Sequence, residues 1–268
     1  MNLRGPIEKE VLYGGRVVLE FDMANHRYYV TDLDDGRRRP VPGVTSILGV
    51  LARPALVNWA ASQAAEYVAE NLRPGVPLDE VEIRELADGA RMAHRRAQKR
   101  AATVGSVVHE WIERYARGRI GGRRLRVALP ENAQARRGVE AFLDWVDAHK
   151  VDFLESERRV YSREHGYAGT ADLVAVVDGD LVLIDVKTSK GIYPEYELQL
   201  AAYWRAIEEE WATLPDEPPA FNWAAILRVG KDDGVFEIRE VLPDRRKFWR
   251  AFDVFEALIR VWRWRERA

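Results

Sequence analysis

The first part of the chain alternates short apolar and polar runs and then turns helical. "VLYGGRVVLEF" and "HRYYVTDL" read as short strands, with Gly14-Gly15 and Asp35-Gly36 as turn signals. Pro40 and Pro42 then hold "RRRPVPGVTSIL" extended or turning, because proline also restricts the residue before it. Helical periodicity runs from about Pro54 to Arg117, interrupted by "RPGVPLD" at 73–79. A basic, glycine-containing loop, "RGRIGGRRLRVALPE", leads to a helix near 132–149. Residues 151–187 are the most strand-like stretch, and a helix from Pro194 to about Leu214 follows, with Pro194 suited to a first helical turn. "FNWAAILRV", "GKDDG" and "VFEIREV" predict a strand, a turn and a strand. From Pro243 onward Phe248, Phe252, Phe255, Leu258, Ile259 and Trp262 recur at helical spacing. No internal repeat or low-complexity tract interrupts the pattern. It predicts one α/β unit over 1–268, with a β and helical extension (1–88), a core (89–240) and a C-terminal helix (241–268).

Composition narrows the chemistry. The 268 residues carry a formal net charge of −2, so no global positive field drives non-specific coating of nucleic acid, although a charge sum says nothing about a local basic groove. Cysteine is absent, which excludes disulfides, thiolate catalysis, zinc–thiolate sites and a cysteine-ligated iron–sulfur cluster. No apolar run reaches the roughly 18 residues of a membrane span. Glu8 and Glu10 stand where a leader peptide would have its apolar stretch, so a cytoplasmic location without membrane partners is expected. No G-x-x-x-x-G-K-[ST] loop is present, so no nucleotide cofactor is expected.

The informative segment is "GTADLVAVVDGDLVLIDVKTS", residues 169–189, in which two apolar runs flank Asp178-Gly179, the signature of a two-residue hairpin turn. With that turn Val177 pairs with Asp180, and counting outward Asp172 falls opposite Asp185. Directly opposed carboxylates repel, and strand interiors disfavour aspartate. A divalent cation between them offsets that cost, since Mg²⁺ and Mn²⁺ favour oxygen ligands. Lys187 lies two residues past Asp185, which puts it on the same face. The alternative is a salt bridge capping a sheet edge. The apolar character of both faces, Leu173 to Val176 and Leu181 to Ile184, predicts instead a buried central hairpin, where unpaired charges are costly.

"AGTAD" followed by "LIDVKTS" resembles the PD-(D/E)XK nuclease superfamily. Three further segments resemble its RecB-like branch: "GSVVHEW" at 105–111 with His109, "ESERRVYS" with Glu157, and "QLAAY" with Gln199 and Tyr203. "VPGVTSIL" followed by Trp59 is similar to an N-terminal element of phage exonucleases and mitochondrial genome maintenance exonucleases. The core resemblance spans roughly 100–210. No proline precedes Asp172, and the cysteines that hold an iron–sulfur cluster in many relatives are missing.

The resemblance implies a restriction-endonuclease-like core, a mixed central sheet flanked by helices, with an N-terminal β-hairpin and helical extension. It implies Mg²⁺ or Mn²⁺ held by His109, Asp172, Asp185 and the Val186 carbonyl, with Lys187 orienting water or offsetting charge. Glu157 would bind the metal or orient a ligand; a surface strand glutamate is the competing reading. Gln199 and Tyr203, four apart on a helix, would support Lys187 or the phosphate, against simple helix packing by Tyr203. If the helix carrying His109 is continuous from residue 90, Arg91, Arg95 and Gln98 fall within about 40° of it and make a track for a phosphate backbone. Thr45, Ser46, Thr188 and Ser189 are candidate phosphate donors and Trp59 a candidate base-stacking residue. The expected substrate is DNA with a free end or a single strand, alongside a recombination or replication partner, and the expected activity is an exonuclease. A structure-specific endonuclease and a non-catalytic DNA-binding subunit are the competing functions.

Overall fold

The computed structural model describes residues 7–51, 54–122, 125–215, 220–230 and 235–267, without the side chains of 54–56 and 98–104. The alternating N-terminal runs form four antiparallel strands in the order β1 (Ile7–Leu12), β2 (Val17–Asp22), β3 (Arg27–Asp32) and β4 (Arg38–Val41). Pro40 is accommodated because β4 is an edge strand. The short α1 (Val44–Leu48) leads to α2 (Pro54–Asn71) and to the 38-residue α3 (Glu80–Arg117). Asp79 starts α3 with a capping box, accepting from Val81 and Glu82 while Glu82 returns a carboxylate to its own N–H. Because α3 is unbroken, the division between residues 88 and 89 falls inside it, and the one at 240/241 falls inside the last strand.

The core is α4 (Ala133–Ala148), then β5 (Val151–Ser162), β6 (Tyr167–Val177) and β7 (Asp180–Ser189), α5 (Pro194–Trp211), β8 (Trp223–Gly230), β9 (Phe236–Leu242) and α6 (Arg245–Arg265). Its sheet runs β5-β6-β7-β8-β9, antiparallel except for the parallel pair β7–β8, which α5 connects. The restriction-endonuclease-like core, a mixed sheet flanked by helices, is the one the motifs implied, and the N-terminal extension carries a separate four-stranded antiparallel sheet in place of a hairpin. No helix among the described residues is long and apolar enough to cross a membrane. The "GKDDG" turn lies mostly outside the described residues, as do Arg123 and Arg124 of the basic loop.

Two apolar layers sandwich the sheet. Leu173, Ala175 and Val177 of β6 with Val182, Ile184 and Val186 of β7 pack under α3 and α4, against Val108, Ile112 and Phe142. Val174, Leu181 and Leu183 face α5 and α6 with Leu200, Trp204 and Phe248. Gly138 of α4 has no room for a side chain, since a Cβ would stand 2.3 Å from Val229. The N-terminal sheet packs on the core strands through Leu12, Val17, Leu19 and Val30, which enclose Tyr161 and Ala168. Ala168 also donates to the Pro42 carbonyl at 2.9 Å, which seats "VPGVTSIL" against β6.

Candidate active site

The hairpin has the expected register, Val177 opposite Asp180 through Leu173 opposite Ile184. Asp178 and Gly179 both take positive φ, 53° and 102°, as a turn matched to strand twist requires. The ladder then stops, one pair short of Asp172 and Asp185. Pairing across β5 and β6 lapses on the same line: Ser156 pairs Leu173 and Arg158 pairs Ala171, with Glu157 and Asp172 unpaired between them. Glu157 has φ 54°, a left-handed conformation that is costly for a side chain and recurs at functional sites. The strands change sides there. Leu173 packs under α3, whereas Ala171, two residues away, packs with α5.

This break corrects one expectation. Asp172 and Asp185 do not form a facing ladder pair. Asp172 Oδ2 accepts from the Val186 N–H at 2.7 Å and stands 3.2 Å from His109 Nε2, while Glu157 Oε1 is 3.6 Å from the same nitrogen. One ligand atom from each of His109, Glu157 and Asp172 lies within 4.8 Å of the other two, the geometry of a metal-binding group. Asp185, fully buried, turns toward α5 instead. Its Oδ2 touches the Lys187 ammonium at 2.5 Å without accepting a regular hydrogen bond, and its Oδ1 accepts from Gln199 Nε2 at 3.2 Å. Gln199 Nε2 also donates to the Tyr203 hydroxyl at 2.9 Å.

Two glycines permit these approaches. A Cβ on Gly105 would stand 3.2 Å from Thr188 Cβ, so the glycine lets α3 lie close to β7 four residues before His109. A Cβ on Gly169 would stand 2.5 Å from the Tyr203 ring. Tyr203 therefore packs the core and also accepts from Gln199.

Burial and charge perturb the group in a consistent way. The Asp172 hydrogen bond, outweighing burial, raises the His109 pKa to about 9. Burial, with the Asp172 charge beside it, raises Glu157 to about 7. Burial also raises Asp185 to about 6, against the opposing Lys187 charge. Burial works against ionisation of Asp172, but His109 and Lys187 hold it below the usual carboxylate range. Burial similarly opposes the Lys187 charge, and Asp185 and Asp172 keep its pKa raised. Glu157 Oε1 is buried without a hydrogen-bond partner, and such an orphaned oxygen beside an imidazole and a second carboxylate fits a divalent cation.

Residues 83–263 match the sequence profile of the PD-(D/E)XK nuclease superfamily. The chain belongs to that superfamily. PD-(D/E)XK nucleases use divalent metals, and the family assigns this one a DNA-cleaving hydrolase chemistry. No curated protein matches the chain. Among solved structures, the crystal structure of SSO0001 aligns at 13% identity over 78% of this chain and 85% of that one, with a TM-score of 0.32, too low to carry an argument.

The outlying candidates divide. Thr45 and Ser46 are exposed on α1, Trp59 is half-buried on α2, and Thr188 is half-buried against Gly105. Arg91 and Arg95 are exposed on α3, with Arg91 paired to Asp88 at 3.1 Å, and the Gln98 side chain lies outside the described residues. At 1.5 Å per residue Arg95 is about 21 Å along the axis from His109, so it lies well outside the metal-binding group. Ser189 is buried and its hydroxyl donates to the Gly191 carbonyl at 2.7 Å, which takes it from the phosphate-donor set. Sequence reasoning missed Arg159, Thr170 and Tyr28, which adjoin the group. The strand period alone puts Arg159 with Glu157 and Thr170 with Asp172, but that signal has meaning only once β5 is known to lie beside β6.

Proposed function

We propose that this PD-(D/E)XK protein is a divalent-metal-dependent deoxyribonuclease acting as an exonuclease on DNA ends or single strands, in replication, recombination or repair. The observation that carries the reading is the His109, Glu157 and Asp172 group beside the Asp185–Lys187 pair, at the point where the central sheet splits. His109, Glu157 and Asp172 would hold the cation, with Asp185 and the Val186 carbonyl completing the oxygen set. A bound divalent ion supplies charge neutralisation at the phosphate and a more acidic water. Lys187, kept protonated by two carboxylates, orients the attacking water and offsets charge growing on the phosphate. Gln199 fixes Asp185, and Tyr203 fixes Gln199. An imidazole ligand favours Mn²⁺ at least as much as Mg²⁺.

The exonuclease reading rests on the RecB-like motif order and on "VPGVTSIL", which is seated beside the site strand through Pro42 and Val44. We read 1–268 as one unit working in the cytoplasm, with a recombination or replication protein as its partner. The test is a cleavage time course on linear and circular DNA, single- and double-stranded. Each linear strand is end-labelled, with Mg²⁺, Mn²⁺ or EDTA, beside Lys187→Ala. Metal-dependent loss of linear DNA alone, absent in the variant, is expected. Cutting of circles makes the protein an endonuclease. Binding without cleavage in any metal makes it a non-catalytic subunit.

A further inference from the structure

Beside the carboxylate line lies a second line of side chains that the nuclease motifs do not include. Arg159 is two residues past Glu157 on β5 and pairs directly with Thr170, itself two residues before Asp172 on β6. Two residues of strand span about 6.6 Å. On this side the sheet is covered by α3 at one end and by the N-terminal sheet at the other, so the metal-binding group and Arg159 both sit at the seam between them.

The Arg159 side chain is 16% exposed and reaches into the seam. It donates to the Thr170 hydroxyl and to the Glu8 carboxylate, and its guanidinium lies 4.4 Å from the Phe21 ring centre. Thr170 Oγ1 in turn shares a hydrogen bond of 2.8 Å with the Tyr28 hydroxyl. The guanidinium, two hydroxyls and an aromatic shelf make an oxyanion cradle. Its guanidinium is now paired with Glu8, a side chain 49% exposed on the edge strand β1. An exposed carboxylate on an edge strand is readily displaced, and the Arg159 Nη2 group that now donates to Glu8 can donate to a phosphate oxygen instead.

We propose that Arg159, with Thr170 and Tyr28, binds a backbone phosphate of the DNA strand next to the one being cut, and that Glu8 occupies this subsite until the strand displaces it. The proposal rests on the nuclease reading. Glu8 thereby sets a threshold for entry, and the N-terminal sheet becomes part of the substrate channel and not only a brace for β5.

The test measures binding of a short fluorescein-labelled single-stranded DNA, and of its duplex, by anisotropy with Mn²⁺. Lys187→Ala is the background, so that bound DNA persists. Arg159→Gln is expected to weaken binding about ten-fold, the size of one lost charge-assisted contact. It should also flatten the slope of log K against log salt by about 0.7. Glu8→Gln is expected to tighten binding roughly three-fold, the size of a half-exposed ion pair. Both substitutions break the same ion pair, so a merely structural role moves binding in one direction for both. Shifts in the same direction, or none, overturn the proposal. If Arg159→Gln does not fold, Arg159→Lys keeps the charge, and failure of Glu8→Gln to tighten binding is decisive by itself. Absence of cleavage by the unmutated protein in any metal would instead overturn the nuclease reading, and cleavage by Lys187→Ala at the unmutated rate would overturn the role given to Lys187.

Discussion

Asp172 accepts a hydrogen bond from the backbone of Val186 at 2.7 Å, across strands whose ladder has just ended at Leu173 and Ile184. A side chain there takes a donor that the next rung would have used. The fork is thereby held open with its backbone satisfied, and the Asp172 carboxylate remains turned toward His109 and Glu157.

Asp172→Ala removes both a metal ligand and the acceptor for Val186. Cleavage is expected to fall by at least about 10³-fold, since a charged group at a transition state contributes on that scale. Leaving a partly buried N–H unpaired costs about 1–3 kcal/mol, read as a lower denaturation midpoint in EDTA. Asp172→Asn retains an acceptor oxygen, so it should lose activity while keeping most of that stability. Equal destabilisation by the two variants would refute the role assigned to the Val186 bond.

Metal binding is expected to release protons. Without metal, His109 is protonated up to about pH 9 and Glu157 up to about pH 7, and each must lose its proton to ligate. The apparent Mn²⁺ affinity should therefore rise with pH between 7 and 9, and calorimetry in buffers of different ionisation enthalpy should show protons released. An affinity flat across that window would remove His109 from the ligand set.

Stability of the metal-free protein should run the other way. The folded pKa of His109 is raised from 6.5 to about 9, so its contribution is complete below 6.5 and lost as pH rises through 9. Glu157 and Asp185 are raised as well, to about 7 and about 6, so their stabilisation is also lost with rising pH. Asp172, being lowered, matters only toward acid. Melting in EDTA is expected at progressively lower temperature from pH 6 to 9, with Mn²⁺ abolishing the trend. Glu157→Gln should flatten the EDTA curve around pH 7 and weaken Mn²⁺ binding.

His109→Ala leaves an all-oxygen group, which suits Mg²⁺ better than an imidazole-containing one. The ratio of Mn²⁺ to Mg²⁺ activity should drop relative to the unmutated protein, with overall activity reduced. An unchanged ratio would mean that His109 is not a ligand.

Gly169→Ala pushes a methyl to 2.5 Å from the Tyr203 ring. Overpacking of this kind costs about 1–3 kcal/mol, and displacing Tyr203 should also loosen Gln199 from Asp185, lowering kcat more than it raises KM. Tyr203→Phe keeps the packing and removes only the hydroxyl, so stability should hold while activity falls modestly. Chemical denaturation beside steady-state kinetics on both variants separates the two effects.

Much of this protein is local and was legible in its sequence. Asp178-Gly179 set the hairpin and its register, because only residues tolerant of positive φ make that turn and the pleat then counts outward by twos. The helices, and the spacing of Gln199 and Tyr203, follow from apolar periodicity and the 3.6-residue turn. The tertiary structure decided what the counting could not. The β6–β7 ladder stops before Asp172, on the line where Glu157, on a strand the hairpin does not include, takes a left-handed conformation. That break divides the five acidic and basic motif positions into a His109, Glu157 and Asp172 group and an Asp185–Lys187 pair. The placement of Arg159 against Glu8, 151 residues apart, is likewise set only by docking of the N-terminal sheet. Spacing along a strand fixes which side chains share a face only while the pleat is regular, and the active site lies where it is not.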